Sequence, residues 1–402
     1  MKASRFIFAI LAAALIVAGC ASPQPPALKT IDPAHFQTIV ENAAATLRVP
    51  GALVKLQTPQ GTFTAEVGTT ELGTTSPPQP DTHFRIASNT KTMTAALILL
   101  LAQDGKLTLD DPISAYVPGV PRGDAITLAD LLTMRSGLYC YTFAPELSAE
   151  LDAEPARAWT PEQVLAIAFA HPATAPPGTT YDYCNTNYAL LGLVAEKAGG
   201  APLAGQFDRR LFGPLGMHDT SLPAAGDTSL PQPSSHGYMY GKTLYALVDE
   251  DYPPDLATAA RAGTVQPIDY THQNPSYATA AGGVISTADD LAIWVRALVT
   301  GTVFDDDFAQ RWRDSLRPED PDRPDWQQYG YGISFQRYGP HAAMYYHGGE
   351  MPGFNSFIGF DPDNDVALVI WTNLTLSPEG QTTANALLPT VLDQIYPGLN
   401  LG

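Results

Sequence analysis

The feature that most limits what this chain can fold into is a pair of strand hairpins near its two ends. Residues 51–57 (GALVKLQ) and 62–67 (TFTAEV) flank Thr58-Pro59-Gln60-Gly61, and residues 355–360 and 366–372 flank Asp361-Pro362-Asp363-Asn364-Asp365. Turn-forming residues between runs of β-formers predict a hairpin at each place. Between the hairpins the pattern is helical: helices are predicted over 128–134, over 161–170 with Thr160 as N-cap and Pro161 at the first helical position, over 188–198 up to Gly199-Gly200, and over 288–299 before Gly301. Strands at both ends with helices between them predict an α/β fold of the α+β kind. One antiparallel sheet is built from both chain ends and flanked by helices, and a mainly helical lobe is inserted in the middle. A cleft between sheet and lobe is the natural site. Residues 222–273, rich in Pro, Gly and Asp, show no clear period and read as a long irregular excursion.

The first residues stand apart from this fold. Lys2 and Arg5 precede a continuous apolar run over 6–19, too short for a comfortable membrane span, so residues 1–19 read as a targeting segment. Val17-Ala18-Gly19-Cys20 resembles a bacterial lipobox, which makes Cys20 the lipidated first residue of the mature chain; a plain cleaved signal is the other reading. Residues 20–34 begin with a proline-rich stretch that has no means of packing a core and serve as a tether. The folded domain is expected over 35–395. Its place is outside the cytoplasm, lipid-anchored to a bacterial cell membrane.

A formal charge of -19 excludes nucleic acid as a partner and argues against binding to anionic lipid head groups, because both would be repelled over much of the surface. With Cys20 claimed by the lipobox, Cys140 and Cys184 remain as a possible pair. No metal site is expected: neither cysteine lies in a Cys-x-x-Cys, and the histidines lack the spacing of a zinc motif.

Chemistry enters at Phe84-Arg85-Ile86-Ala87-Ser88-Asn89-Thr90-Lys91. Residues 93–101 are apolar on nearly every face, so a buried helix is predicted there, and Ser88 sits at its N-terminal edge. Residues three apart on a helix are neighbours, which brings the Lys91 amine to the Ser88 hydroxyl. Burial and the positive helix N-terminus both disfavour an ammonium there, and a neutral lysine is a general base for a serine nucleophile. An N-capping Ser88 with a solvated Lys91 is the plainer alternative. Two more stretches join this one: Tyr183-Cys184-Asn185 on a loop leading into a helix, and a short strand over 342–346 running into His347-Gly348-Gly349-Glu350.

With these three in this order, the chain resembles the serine β-lactamase and D,D-peptidase superfamily, in particular the branch of class C β-lactamases, D-alanyl-D-alanine carboxypeptidases and related esterases. Gly105-Lys106-Leu107-Thr108-Leu109-Asp110-Asp111-Pro112 and Ser136-Gly137-Leu138 also look like that branch, and the likeness covers about 36–374. The resemblance implies a β-lactamase/transpeptidase-like fold. It implies Ser88 as acyl-forming nucleophile, Lys91 as its base and Tyr183 as proton shuttle to the leaving group. Asn185 would hold the substrate amide or Lys91, and the backbone amides of Ser88 and Glu350 would form the oxyanion hole. His347, Gly348 and Gly349 would border the substrate, the glycines letting it lie close to the strand.

Where many β-lactamases of this superfamily carry lysine, this chain has His347, which is mostly neutral at pH 7. That fits a peptidase or esterase better than an efficient β-lactamase. The expected substrate is a small molecule or a fragment of peptidoglycan, first a D-alanyl peptide in a D,D-carboxypeptidase-like reaction. A small ester or a weakly turned over β-lactam comes second, and a catalytically inactive binding lipoprotein is the reading from another class. No cofactor is required. Cys140 and Cys184 would lie near the cleft in proteins of this fold, as a disulfide or as two buried thiols.

Overall fold

The computed structural model describes residues 28–248 and 250–399. The expected signal segment, Cys20 and the first part of the expected tether lie outside the described residues. Among the described residues no helix is long and apolar enough to cross a membrane.

Helix α1 (Pro33–Thr46) leads into β1 (Gly51–Thr58) and β2 (Gly61–Gly68), the predicted first hairpin. The C-terminal part supplies β3 (Arg317–Pro318), β4 (Gln327–Tyr329), β5 (Ser334–Gly339), β6 (Ala342–Met351), β7 (Phe354–Asp361) and β8 (Val366–Thr372). All eight pair antiparallel in the order β2-β1-β8-β7-β6-β5-β4-β3. The two chain ends close the sheet as expected, with Leu53 opposite Trp371 where β1 meets β8. The turn between β7 and β8 is held by Asp361, whose Oδ1 accepts from the backbone N–H of Asp363 at 3.0 Å and of Asn364 at 3.2 Å.

Strand β8 shows how the sheet divides the molecule. Side chains alternate across a strand, so Val369 and Trp371 face one core while Leu368 and Ile370 face the other. The first core holds α2 (Thr90–Gln103), α3 (Pro161–Ala170), α4 (Asn185–Gly199), α5 (Thr279–Gly282) and α6 (Ala288–Thr300); the second holds α1 and α7 (Thr383–Ile395). A strand buried on both faces has no need of polar alternation, which is why VALVIWT reads as one apolar run. Helix α2 is the axis of the first core: every residue from Thr90 to Leu101 is buried, Lys91 included.

Several elements differ from expectation for local reasons. The helix predicted over 128–134 stops at Leu132, because Met134 turns the chain at φ 60°. The helix predicted from 188 starts a turn earlier, at Asn185, and the strand over 342–346 continues through His347-Gly348-Gly349-Glu350 to Met351. The stretch 222–273 contains an amphipathic helix, Pro254–Ala262, between irregular segments. Packing also begins ahead of residue 35: Lys29 donates its backbone N–H to Ile395 at 2.9 Å and Ile31 is buried. At the other end Tyr396 donates its hydroxyl to Asp361 at 2.8 Å.

Candidate active site

Ser88 lies in a single 3-10 turn (Ala87–Asn89) that runs directly into α2. The turn is forced. Ala87 adopts φ 48°, a conformation that costs a residue with a Cβ, and Asn89 pins the turn by donating from Nδ2 to Ile86 O at 3.1 Å and to Ser356 Oγ on β7 at 2.8 Å. Only Ser88 in this turn keeps partial access to solvent.

Lys91 is one helical turn on. Its Nζ lies 2.8 Å from Ser88 Oγ and 2.9 Å from the backbone oxygen of Ala281 on α5, over the rings of Tyr183 at 4.9 Å and Tyr188 at 5.8 Å. Burial pushes its pKa down to about 7, so near neutral pH a large share of Lys91 is the free amine that a base must be.

Tyr183 approaches from the loop before α4 and brings its phenol to Ser88; burial holds the phenol protonated far above pH 7, an effect that Ser88 only partly offsets. Lys91 is hydrogen-bonded to Ser88 and Tyr183 lies beside both, so the fold brings together the three residues singled out in the sequence. Asn185 opens α4 and lines the site, but its Nδ2 donates to Thr142 Oγ1 at 2.9 Å rather than engaging Lys91. The carbonyl that holds Lys91 belongs to Ala281, and no side-chain pattern in the sequence marks a backbone oxygen.

Strand β6 passes alongside the Ser88 turn and brings His347, Gly348, Gly349 and Glu350 to it. His347 is buried and donates from Nδ1 to Gly348 O at 2.6 Å, leaving Nε2 to accept from the Tyr329 hydroxyl at 3.3 Å. Burial, reinforced by the charge of Lys91, lowers its pKa to about 3, so His347 is a neutral ring that helps frame Tyr183 and Tyr329. The two glycines divide their roles. A Cβ on Gly349 would sit 2.2 Å from Ile86 O, whereas one on Gly348 would meet nothing closer than 3.9 Å. Gly349 is therefore required by the close approach of β6 to the nucleophile turn, and Gly348 leaves room on the open side.

Cys140 and Cys184 are free buried thiols, not the disulfide weighed from the sequence. Each sulfur is already placed in hydrogen bonds: Cys140 Sγ accepts from the Asn185 backbone N–H at 3.1 Å, and Cys184 donates to Leu138 O at 3.5 Å. Burial keeps the Cys184 thiol protonated. Among the described residues no group of three or more His, Cys, Asp or Glu side chains could hold a metal ion.

Two spaces open from Ser88. A cleft of about 450 Å³ runs along β6 past Tyr183, His347, Gln336 and Asn385. A pocket of about 20 Å³ is bordered by Asn185, Tyr141, Tyr277 and Leu247. Ser88 and Glu350 border both. A third, apolar cavity of about 240 Å³, lined by Trp159, Leu193 and Leu222, includes none of the predicted site residues.

A family model described as Beta-lactamase matches residues 36–391. Among curated proteins, the chain is 32% identical over 236 residues to the D-alanyl-D-alanine-carboxypeptidase/endopeptidase AmpH of Escherichia coli (strain K12), a match covering 56% of this chain and 59% of AmpH. The chain thus spans about three fifths of that relative's length. Among solved structures, a D-stereospecific amidohydrolase from Streptomyces sp. superposes with a TM-score of 0.76 at 28% identity, covering 92% of this chain and 99% of the other. A D-amino acid amidase from Ochrobactrum anthropi SV3, complexed with D-phenylalanine, gives 0.75 at 27%, covering 89% and 97%.

Proposed function

Because the chain belongs to the Beta-lactamase family and is a serine hydrolase, we propose that it hydrolyses the amide bond of a small D-aminoacyl group through an acyl-enzyme on Ser88. The observation that carries this reading is the 2.8 Å contact between Lys91 Nζ and Ser88 Oγ at a buried helix start. The D preference is supported by likeness to two solved structures named for D-specific amide hydrolysis.

In the first half-reaction Ser88 Oγ attacks the carbonyl carbon while Lys91 takes its proton. The oxyanion develops between the backbone amides of Ser88 and Glu350, donors that need no reorganisation. Collapse breaks the C–N bond; Tyr183 gives its proton to the departing nitrogen and regains one from Lys91. Water then adds to the acyl carbon with its proton passing to Lys91, and Ser88 leaves reprotonated. The sum is amide plus water to acid plus amine, with the base restored.

A D,D-carboxypeptidase must also hold the carboxylate of its leaving D-alanine. Neither lysine nor arginine is among the described residues lining the large cleft, and His347 is neutral. D-Alanyl amides fit this cleft better than D-alanyl-D-alanine ends or β-lactams, and small esters form the second reading because they too need no cation. The protein works outside the cytoplasm with a lipid on Cys20, a placement supported by the basic start, the apolar run and the lipobox-like Val17-Ala18-Gly19-Cys20.

Turnover of D-alaninamide and L-alaninamide by the full chain and by Ser88→Ala tests the reading. It requires Ser88-dependent hydrolysis with the D form favoured by at least about tenfold. Absence of Ser88-dependent turnover of either amide would return the chain to the class of binding lipoproteins.

A further inference from the structure

The apolar cavity of about 240 Å³ that stands apart from Ser88 reaches the catalytic lysine by another route. Its wall includes Ala189, Gly192 and Leu193 of α4, Thr279 and Ala280 of α5, and Trp159 just ahead of α3. Helices α4 and α5 meet closely here, since a Cβ on Gly192 would lie 2.6 Å from that of Ala280. The backbone oxygen of Ala280 accepts from Thr94 Oγ1 on α2 at 2.7 Å, and the next one, that of Ala281, accepts from Lys91 at 2.9 Å. A molecule seated in the cavity therefore lies against the residues that lead directly into the Lys91 anchor.

Trp159 gives the cavity its chemistry. It is 3% exposed, its backbone N–H is given to Ser276 Oγ at 2.7 Å, and the guanidinium of Arg157 stacks 4.1 Å from the centre of its ring, so the indole is held in place. Its Nε1–H is buried with no hydrogen-bond partner among the described residues, a cost that an acceptor on a ligand would remove. Other polar groups of the wall are engaged with the protein itself. Asn274 donates from Nδ2 to Ala225 O at 2.9 Å and accepts at Oδ1 from the Ser276 N–H at 2.9 Å, and Glu196 Oε1 accepts from the Leu203 N–H at 2.9 Å. No lysine or arginine is among the described residues lining the cavity, whereas Glu196 and Asp227 are, so an anionic ligand has no counter-charge there. The room suffices for a substituted aromatic ring, given that an apolar cavity of about 150 Å³ takes benzene.

We propose that this cavity is an effector site for a small, neutral, mainly apolar molecule bearing one hydrogen-bond acceptor, which Trp159 Nε1 engages and whose bulk braces α5 where it holds Lys91. Bracing has a place to act. Thr279, the first residue of α5, holds φ 45°, a costly conformation for a β-branched side chain, and α5 is a single turn of four residues. A filled cavity takes away the room into which that turn can relax and favours the arrangement that keeps the Ala281 carbonyl on the amine. Binding here does not depend on which substrate acylates Ser88.

Acetophenone and α-methylstyrene, alike in shape with a C=O in one and a C=CH2 in the other, serve as probes. Calorimetric titration of the full chain should show saturable binding of both. In Trp159→Phe acetophenone should lose about fivefold in affinity or more and α-methylstyrene less than about twofold, as one hydrogen bond requires. Leu193→Trp, at a partly exposed place on the wall, should abolish binding of both by filling the cavity. Saturating acetophenone should raise the rate of fluorophosphonate attachment to Ser88 by at least about twofold in the parent chain and leave it unchanged in Leu193→Trp. No saturable binding in the parent chain, equal losses of the two probes in Trp159→Phe, binding that survives Leu193→Trp, or a labelling rate that stays level or falls in the presence of acetophenone would each overturn the proposal. The titration needs no turnover, so loss of the amide-hydrolysis reading and loss of the effector site are separate results.

Discussion

The amine of Lys91 stands 2.8 Å from the hydroxyl of Ser88 and is closed off from water by the first core. The contact and the burial act together: one gives the proton a path, and the other makes the amine able to accept it. Lys91→Met, close in length and without the charge, should therefore lower kcat/KM by about a thousandfold or more while leaving thermal stability equal or higher, because a buried base is costly to fold. Differential scanning calorimetry beside steady-state kinetics separates the two effects. A variant that loses stability in proportion to activity would speak against this division.

Tyr183→Phe removes the proton donor to the leaving group and little else, since the ring remains packed against Tyr329 and His347. An amide nitrogen cannot depart without a proton, whereas a p-nitrophenolate can. The substitution should cost about a hundredfold on D-alaninamide and less than about tenfold on a p-nitrophenyl ester. Equal losses on both substrates would assign Tyr183 to positioning alone.

The glycines of β6 predict opposite outcomes from one chemical change. Gly349→Ala places a Cβ against the backbone oxygen of Ile86, which cannot move without shifting the nucleophile turn, and should destabilise the fold by about 2 kcal/mol or more. Gly348→Ala should leave the melting temperature nearly unchanged and instead raise KM, because its new methyl enters the cleft. Chemical denaturation of the two variants side by side checks this.

His347 gives a stability signature at acid pH. Its folded pKa of about 3 lies below the unfolded value of about 6.5, so between these pH values the unfolded chain binds a proton that the folded chain does not. Stability should fall as the pH drops from about 6.5 towards 3, by up to about 1 kcal/mol per pH unit from this group. Denaturation midpoints of His347→Gln across that range should show a shallower decline than those of the parent.

How much of this was legible in the sequence follows from what kind of signal each part leaves. The hairpins and the helix N-cap at Thr160 are local, and they stand where they were expected. Ser88, Lys91 and Tyr183 were found because helical spacing and the ordered motifs place them together. The boundary at Met134 was missed because a left-handed residue other than glycine leaves no compositional mark. The separate duties of Gly348 and Gly349 depend on which side of β6 faces Ile86, and the Ala281 oxygen and the Tyr277 hydroxyl come from segments nearly two hundred residues beyond Ser88. The state of Cys140 and Cys184 was left open by the sequence, since two cysteines in one neighbourhood are equally compatible with a bond or with separate hydrogen bonds.

The central claim is that a neutral Lys91 activates Ser88, and the pH dependence of covalent labelling tests it most directly. The second-order rate of fluorophosphonate attachment, followed by intact-protein mass beside Ser88→Ala, should rise with pH and level off with an apparent pKa of about 7. A rate that is flat from pH 5 to about 9, or that climbs only near the ordinary lysine value of about 10.4, would contradict the account.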